Sequence, residues 1–213
     1  MIEKEKIKRI IFDLDRTLLF SSFFDKEEEF YKKTIPGIDE WFIKNMQKIL
    51  DKYESIYAVY NYNLLLSHLN KYSNIELKMD FINIWEKEIK NSDVKIEEET
   101  IEILEYLKAK YELVILTNWF EETQIIRMKK AGLYNYFKEV HAGEKCMKPS
   151  IESYIKACSQ YNPKECIMIG DNLLNDVEGA LKAGLNAIHY THGKEETHKY
   201  QKIKKLKELE KIL

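Results

Sequence analysis

Three aspartates in this 213-residue chain follow short apolar runs that are typical of buried strands. Asp13 and Asp15 come directly after residues 10–12, and Asp171 comes just after residues 166–169. The carboxyl ends of parallel strands meet at one edge of a sheet, and open α/β sheets bind their ligands there. We therefore expect the three carboxylates to converge.

Such a cluster of carboxylates favours a bound cation. Like charges 4 Å apart repel by roughly 1 to 4 kcal/mol, so three carboxylates in a small space need a neutralising partner. Oxygen ligands suit a hard ion, and a few carboxylates combined with waters and a phosphate suit Mg²⁺. The sequence therefore predicts a Mg²⁺ site at this edge of the sheet.

The spacing of Asp13 and Asp15 also suits nucleophilic and acid chemistry, because a chain leaving a strand can place them on either side of a bound group. Asp13 would attack, since an ordinary carboxylate is ionised at neutral pH and carboxylate nucleophiles form aspartyl-phosphate intermediates. Asp15 would donate a proton to the leaving group, which requires surroundings that raise its pKa.

Groups that could hold a phosphate occur at two further places. Thr117 and Asn118 follow the apolar residues 113–116. The Thr117 hydroxyl and the Asn118 backbone N–H could bind phosphate oxygens without adding charge. Lys148 precedes Pro149, a residue typical of the first turn of a helix, and its amine could neutralise a phosphate.

The elements that position these residues follow from the hydrophobic pattern. Short continuous apolar runs suit strands covered on both faces, and amphipathic helical patterns separate most of them. The sequence therefore predicts an α/β fold, with a Rossmann-like parallel sheet and helices on both faces. The predicted strands are residues 10–12, 113–116, 137–140, 166–169 and 187–190, and the predicted helices are residues 98–110, 121–131, 150–160 and 173–183.

A helical insertion is predicted directly after the first strand. Residues 19–93 show no convincing strand, but their apolar residues recur at helical spacing and indicate about four helices. We therefore predict an α/β core domain formed by residues 1–18 and 94–213 and a helical cap domain formed by residues 19–93. Residues 194–213 are predicted to form a short strand or turn and then an amphipathic helix.

Composition narrows the classes of function. With 34 Lys and Arg against 36 Asp and Glu, the chain lacks the basic excess of a general nucleic-acid binder. No window approaches the roughly 18 apolar residues of a membrane span, and the first residues lack a signal-peptide core. The three cysteines lack metal-binding spacing. We therefore expect reduced thiols in a cytoplasmic protein with no nucleic-acid or membrane partner.

The polar segments resemble, in order and spacing, the four motifs of the haloacid dehalogenase (HAD) superfamily. These segments are Phe12-Asp13-Leu14-Asp15-Arg16-Thr17-Leu18, Leu116-Thr117-Asn118, Lys148-Pro149 and Gly170-Asp171-Asn172-Leu173-Leu174-Asn175-Asp176. The resemblance covers nearly the whole chain, and residues 19–93 look like the cap of the subclass whose helical cap follows the first strand. It implies a Mg²⁺-dependent phosphatase that hydrolyses a small-molecule phosphomonoester, of the sugar phosphate or nucleotide type, through an aspartyl-phosphate.

The resemblance also implies a role for each acidic motif residue. Asp13 would be the nucleophile and a Mg²⁺ ligand, and Asp15 would be the general acid and base, with its backbone carbonyl on the metal. Asp171 would be the third ligand that the protein gives to the metal. Asp176, together with Asn172, would not bind the metal directly but would support Lys148 or a metal-bound water.

Three further motif residues would bind the phosphate, and two of them are also implied to be catalytic. The Thr117 hydroxyl and the Lys148 amine would hold the phosphate oxygens during the reaction, and Asn118 would join them in binding.

Arg16 departs from the family pattern, because the family usually has glycine at this position. Glycine is permissive in its backbone angles, whereas arginine restricts them and adds a large cation. We expect Arg16 to point away from the site; contact with the substrate and slower turnover are the alternatives. Trp119 is the best candidate to stack on a substrate ring, ahead of Phe20, Phe23 and Phe24.

Several other functions stay open. A phosphomutase of the same superfamily would need the same residues. A 2-haloacid dehalogenase needs no Mg²⁺ and no second aspartate, so Asp15 and Asp171 favour phosphate chemistry. A receiver module lacks a large helical insertion, and the intact aspartates disfavour a catalytically weak HAD-fold binding protein. The spacing of Gln124, Arg127 and Gly132 is similar to that of nucleotidase-like members. The oligomeric state is not predicted.

Overall fold

The computed structural model describes residues 3–213, and it confirms the predicted α/β fold class. Six strands form one parallel sheet, and the remaining two form a small antiparallel ribbon. The strands of the described residues are Arg9–Phe12 (β1), Phe20–Ser21 (β2), Val94–Lys95 (β3), Glu112–Leu116 (β4), Glu139–His141 (β5), Cys166–Gly170 (β6), Asn186–Tyr190 (β7) and Lys202–Ile203 (β8).

The strand order of the large sheet is β5-β4-β1-β6-β7-β8. β1 therefore lies between β4 and β6, and Phe12 at its end is opposite Ile115 and Ile169. This register places the loops that follow β1, β4 and β6 side by side at the carboxyl edge of the sheet.

Helices cover both faces of the sheet, as the sequence predicts. The helices of the described residues are Glu27–Thr34 (α1), Glu40–Lys44 (α2), Met46–Ile56 (α3), Tyr62–Leu69 (α4), Met79–Asn91 (α5), Thr100–Lys108 (α6), Glu121–Lys130 (α7), Ile151–Cys158 (α8), Gly179–Lys182 (α9) and Leu209–Ile212 (α10). Ile10 and Phe12 face a hydrophobic core formed with α6, α7 and α10, whereas Ile11 faces a second core formed with α8 and α9.

Five helices, α1 to α5, form a helical insertion between β1 and β4. Each buries one apolar face; α3, for example, buries Met46, Ile49 and Tyr53. The insertion has its own hydrophobic core, which also includes Phe120 and Met147 from loops at the carboxyl edge of the sheet. The insertion therefore packs over that edge. The boundaries at residues 18/19 and 93/94 stay a prediction.

Two local expectations were wrong. The chain has a short strand at Phe20–Ser21, which pairs with Val94–Lys95 at the base of the insertion. Residues 173–183 are not one regular α-helix, because Leu173–Glu178 forms a π-helical segment before α9. The strand and helix predicted near the end of the chain are present as β8 and α10. Within residues 3–213, no helix combines the length and hydrophobicity needed to cross a bilayer.

Candidate active site

Four charged side chains from distant parts of the sequence meet at the carboxyl edge of the sheet. Carboxylate oxygens of Asp13, Asp171 and Asp176 lie within 4.8 Å of one another. The Lys148 Nζ donates to Asp13 Oδ1 at 2.7 Å and to Asp176 Oδ1 at 2.6 Å. Asp13 and Asp171 therefore converge as predicted, whereas the third carboxylate of the group is Asp176 and not Asp15, which pairs with Arg127. A single buried amine lies between two of the three acids.

The Asn118 side chain holds Lys148 in place. Its Oδ1 accepts from the Lys148 backbone N–H at 2.9 Å, and its Nδ2 donates to the Lys148 carbonyl at 3.1 Å. Because both hydrogen bonds join the loop after β4 to the loop before α8, the lysine side chain enters the cluster from a fixed backbone position.

Asp176 is aimed at Lys148 by the turn that follows β6. Asn172 caps this turn, because its Oδ1 accepts from two backbone N–H groups, and its own N–H donates to Asp176 Oδ2 at 2.9 Å. A Cβ atom on Gly170 would lie 2.2 Å from Asp176 Oδ2, so only glycine leaves room for this carboxylate.

Burial makes the acidic cluster electrostatically unfavourable without a further cation. Burial, reinforced by Asp176 and Asp171 and opposed by Lys148, holds the pKa of Asp13 well above its ordinary value. Burial and the nearby Asp176 charge raise the pKa of Asp171 to about 6. Burial alone would lower the pKa of Lys148, but Asp13 and Asp176 outweigh it, so its pKa is raised and the amine stays cationic.

The donor set fits a hard divalent cation such as Mg²⁺. All three clustered groups offer carboxylate oxygens at a mutual spacing that one ion can bridge. One lysine charge does not balance three carboxylates. Burial, together with this excess of negative charge, raises the pKa values of Asp13 and Asp171. Asp13 accepts hydrogen bonds from Lys148 and Thr17, and Asp176 accepts them from Lys148 and Asn172, which leaves Asp171 as the freest of the three carboxylates.

The expectation that the surroundings raise the pKa of Asp15 is wrong. Its carboxylate forms a two-pronged ion pair with Arg127, one contact being 3.0 Å long, and accepts from Gln124 Nε2 at 2.8 Å. Burial raises the pKa of Asp15, but the Arg127 charge and these hydrogen bonds outweigh it, so the pKa is lowered. Asp15 is therefore held as a carboxylate.

Gln124 and Arg127 were noted from the sequence only as a family-like spacing, without a role. Both are buried on α7, and Arg127 also donates to Gln124 Oε1 at 2.6 Å. Gln124 Nε2 donates to Thr117 Oγ1 at 2.8 Å as well, so it links Thr117 to Asp15. The feature of the sequence that could have indicated a role for Gln124 and Arg127 is the presence of polar residues on the buried face of a helix.

A cavity of about 180 Å³ lies between the helical insertion and the carboxyl edge of the sheet. Every predicted site residue lines it: Asp13, Asp15, Thr117, Asn118, Lys148, Asp171, Asn172 and Asp176. The insertion contributes aromatic and acidic side chains to the opposite wall, among them Phe23, Phe24, Tyr60 and Trp85. The site is therefore a two-walled pocket.

Arg16 does not point away from this cavity, so that expectation is wrong. Its side chain lines the cavity with Phe24, whose ring centroid lies 5.1 Å from the guanidinium carbon. Arg16 has a φ angle of 60° and Trp119 one of 83°, both in the region that favours glycine. Trp119 lines the cavity, as expected, whereas Phe20 lies in β2 outside it.

Contacts between the insertion and the sheet edge hold the two walls of the cavity together. The Tyr60 N–H donates to the Gly143 carbonyl at 2.7 Å, and the Met147 N–H donates to the Ala58 carbonyl at 2.9 Å. Glu54 accepts from Asn175 Nδ2 at 3.0 Å. These bonds connect α3 and the loop after it to the loops that carry the charged cluster.

The chain belongs to the haloacid dehalogenase-like hydrolase family, whose model matches residues 10–190. The resemblance stated from the four motifs is thus confirmed. The HAD-hydrolase YfnB of Bacillus subtilis, solved with bound magnesium, superposes with a TM-score of 0.76 at 20% identity, over 97% of this chain and 98% of that one. At that identity, the likeness shows the fold.

Two curated relatives match part of the chain. The N-acylneuraminate-9-phosphatase of Rattus norvegicus is 29% identical over 118 residues, which cover 54% of this chain and 47% of that protein. The pyrimidine 5'-nucleotidase PynA of Streptococcus pneumoniae is 31% identical over 97 residues, which cover 43% of this chain and 41% of that protein. The chain therefore spans about half or less of these relatives.

The raised pKa of Asp171 generates a prediction for the metal-free protein. Above pH 6 the charged Asp171 destabilises the folded state, and this destabilisation fades as the pH falls from about 6 towards 4. We expect Asp171→Asn to raise the melting temperature in EDTA at pH 8 by about 2 to 4 °C, and to have little effect at pH 4. Thermal unfolding followed by circular dichroism measures both.

The exposed Asp80 on α5 supplies the matched control, because Asp80→Asn removes a carboxylate outside the cluster. If the melting temperature of Asp171→Asn at pH 8 stays at or below the wild-type value, the charged Asp171 does not destabilise the folded state.

Proposed function

We propose that this chain hydrolyses a small-molecule phosphomonoester, of the sugar phosphate or nucleotide type, with Mg²⁺ and through an aspartyl-phosphate on Asp13. The observation that carries the proposal is the position of Lys148 between Asp13 and Asp176, with Asp171 completing the cluster in the lining of the cavity. Buried carboxylates beside a buried amine suit the binding of a metal ion and a phosphate together.

The comparisons support this reaction class. The relatives of Rattus norvegicus and Streptococcus pneumoniae carry the names of a phosphatase and a nucleotidase, and both act on phosphate esters by those names. The similar structure of YfnB contains magnesium. Each name belongs to its own protein, and the shared family is the reason to extend the reaction class to this chain.

The side chains of Asp13 and Asp171 and the backbone carbonyl of Asp15 would hold the Mg²⁺. When bound, the ion neutralises charge on the phosphate and on the clustered carboxylates. Lys148 supplies a second positive charge, while the Thr117 hydroxyl and the Asn118 N–H bind phosphate oxygens without adding charge. Asp176 keeps Lys148 oriented, since its Oδ1 accepts from Nζ at 2.6 Å.

In the first half of the reaction, an Asp13 oxygen forms a bond to phosphorus while the bond from phosphorus to the ester oxygen breaks. Asp15 supplies the proton that the departing alkoxide requires. In the second half, water attacks the aspartyl-phosphate and Asp15, again a carboxylate, accepts the proton of that water. The hydrolysis returns Asp13 to its starting form and releases inorganic phosphate.

Arg127 sets the position from which Asp15 works. The two-pronged ion pair fixes the carboxylate in the lining of the cavity and keeps it ionised, as the second half of the reaction requires. To donate a proton in the first half, Asp15 must take one up and exchange Arg127 for the leaving-group oxygen. Arg127 is thus a positioning residue.

Asp13→Asn tests the nucleophile. The amide keeps the shape of the side chain but is a poor nucleophile, so we expect phosphate release to fall below about 1% of the wild-type rate. Release is measured on a panel of phosphomonoesters with Mg²⁺ and with EDTA. We expect wild-type turnover to require Mg²⁺.

Asp80→Asn serves as the control, and circular dichroism verifies that Asp13→Asn is folded. Equal release by Asp13→Asn and wild type would remove Asp13 from the reaction. An esterified product in place of free phosphate would identify a phosphomutase.

Arg127→Met tests whether Arg127 positions Asp15, by comparing two esters whose leaving groups differ in their need for a proton. An alkyl phosphate needs a proton on its departing oxygen, whereas p-nitrophenyl phosphate does not, so the two esters depend differently on Asp15. We expect kcat/KM to fall by about a hundredfold for the alkyl phosphate and only severalfold for p-nitrophenyl phosphate. Arg127→Lys should restore part of the loss, because it keeps the charge.

Lys129→Met provides the comparison, since it removes a charge from the exposed face of the same helix. An equal fall for both esters in Arg127→Met would assign Arg127 a structural role instead.

A further inference from the structure

The two walls of the cavity differ in charge. The insertion contributes three carboxylates, Glu27, Asp51 and Glu54, and five aromatic side chains. Residues 19–93, all of which the structure describes, contribute no Lys, Arg or His to this wall. The part of a substrate that extends from the phosphate towards the insertion therefore meets negative charge and aromatic rings. We call this wall the leaving-group wall.

The cations of the cavity lie on the other wall. Arg16, Arg127 and Lys148 all come from the sheet side. Lys148 is paired with Asp13 and Asp176, and Arg127 is paired with Asp15. Burial raises the pKa of Glu27 and of Glu54 on the leaving-group wall, and the charges of Arg16 and Lys148, respectively, partly oppose that rise.

Two carboxylates on α3 form no ion pair within the described part of the chain. Asp51 and Glu54 lie three residues apart, so they share one face of the helix. Asp51 accepts from Gln47 Nε2 at 2.9 Å. Glu54 accepts from the Tyr60 hydroxyl at 2.7 Å and from Asn175 at 3.0 Å, which uses half of the roughly four acceptor positions of a carboxylate. Both can accept hydrogen bonds from hydroxyl or amino groups of a ligand.

Aromatic side chains that pack edge to face form part of the cavity lining beside these acids. Trp85 lies 5.7 Å from Tyr31 and 4.9 Å from Trp119, and Trp119 lies 5.4 Å from Tyr60, as measured between ring centroids. All four line the cavity, and half-buried Phe24 lines it too. A flat unsaturated ring packs on such a surface better than a saturated sugar does.

Building on the proposed phosphatase function, we propose that the cavity selects the monophosphate ester of an uncharged or cationic alcohol that carries a flat unsaturated ring, as a nucleoside does. Esters whose alcohol carries a carboxylate or a second phosphate are rejected, because their extra negative charge faces Asp51 and Glu54 with no cation of the insertion to balance it.

Uridine 5'-monophosphate and orotidine 5'-monophosphate test the rejection of extra negative charge, because they differ by one carboxylate on the ring. Ribose 5-phosphate tests the preference for a flat ring, because it lacks the base. We expect kcat/KM for uridine 5'-monophosphate to exceed that for each of the other two esters by about tenfold or more. Phosphate release in the presence of Mg²⁺ is the readout.

Two variants test the residues. Asp51→Lys introduces a cation on the exposed part of the leaving-group wall, so we expect the preference for uridine over orotidine 5'-monophosphate to shrink about tenfold, whereas Asp80→Lys leaves it unchanged. Phe24→Leu should reduce the preference over ribose 5-phosphate, while Phe30→Leu, outside the cavity, should not.

The outcomes separate this inference from the function on which it rests. Phosphate release from all three esters at similar kcat/KM overturns the inference and leaves the phosphatase in place. An unchanged charge preference in Asp51→Lys also overturns it. Release from no phosphomonoester at all overturns the proposed function and the inference with it.

Discussion

Repulsion among buried carboxylates is the constraint on which the candidate site depends. Asp13, Asp171 and Asp176 are held together by strand ends and a capped turn, and a single amine from Lys148 lies among them. Removing Lys148 would leave its two carboxylate partners as uncompensated buried charges, which is strongly destabilising. The fold tolerates the cluster because Gly170 leaves room for Asp176, because Asn118 fixes the backbone of Lys148, and because the arrangement can accept a cation and an anionic ligand.

The helical insertion gives this cluster a partly enclosed, partly apolar environment. Its backbone bonds to Gly143 and Met147 bring aromatic rings over the carboxyl edge of the sheet. Excluding part of the water from such a pocket strengthens the charge interactions inside it. The same enclosure makes the leaving-group wall matter for selectivity, since a charged ligand group beside half-buried Glu54 is screened by less water than in bulk solvent.

Much of the fold follows from the sequence because its central strands are covered on both faces. Such strands need continuous apolar residues, and the runs at residues 10–12, 113–116 and 166–169 supply them. Once parallel strands are inferred, the convergence of the residues after them follows from topology. The ribbon of Phe20–Ser21 with Val94–Lys95 could not be predicted, because two residues per strand carry no periodicity.

The site was less predictable where tertiary packing, and not local sequence, determines which side chains contact each other. Asp15 was expected to have a raised pKa, but Arg127, 112 positions away, lowers it. No local pattern tells which acid a buried arginine on α7 meets. Arg16 was expected to leave the site, yet Phe24 from the insertion packs on its guanidinium and keeps it at the cavity. Both errors arose from side-chain contacts that form only in the folded chain, one with a distant helix and one with the start of the insertion.

A crystal structure with Mg²⁺ and beryllium fluoride, which mimics a phosphoryl group on a carboxylate, tests the central claim most directly. We expect the beryllium bonded to Asp13, the Mg²⁺ between Asp13 and Asp171, and the Lys148 amine on a fluoride. A beryllium fluoride group attached elsewhere, or a Mg²⁺ ion that does not contact Asp171, would contradict the account.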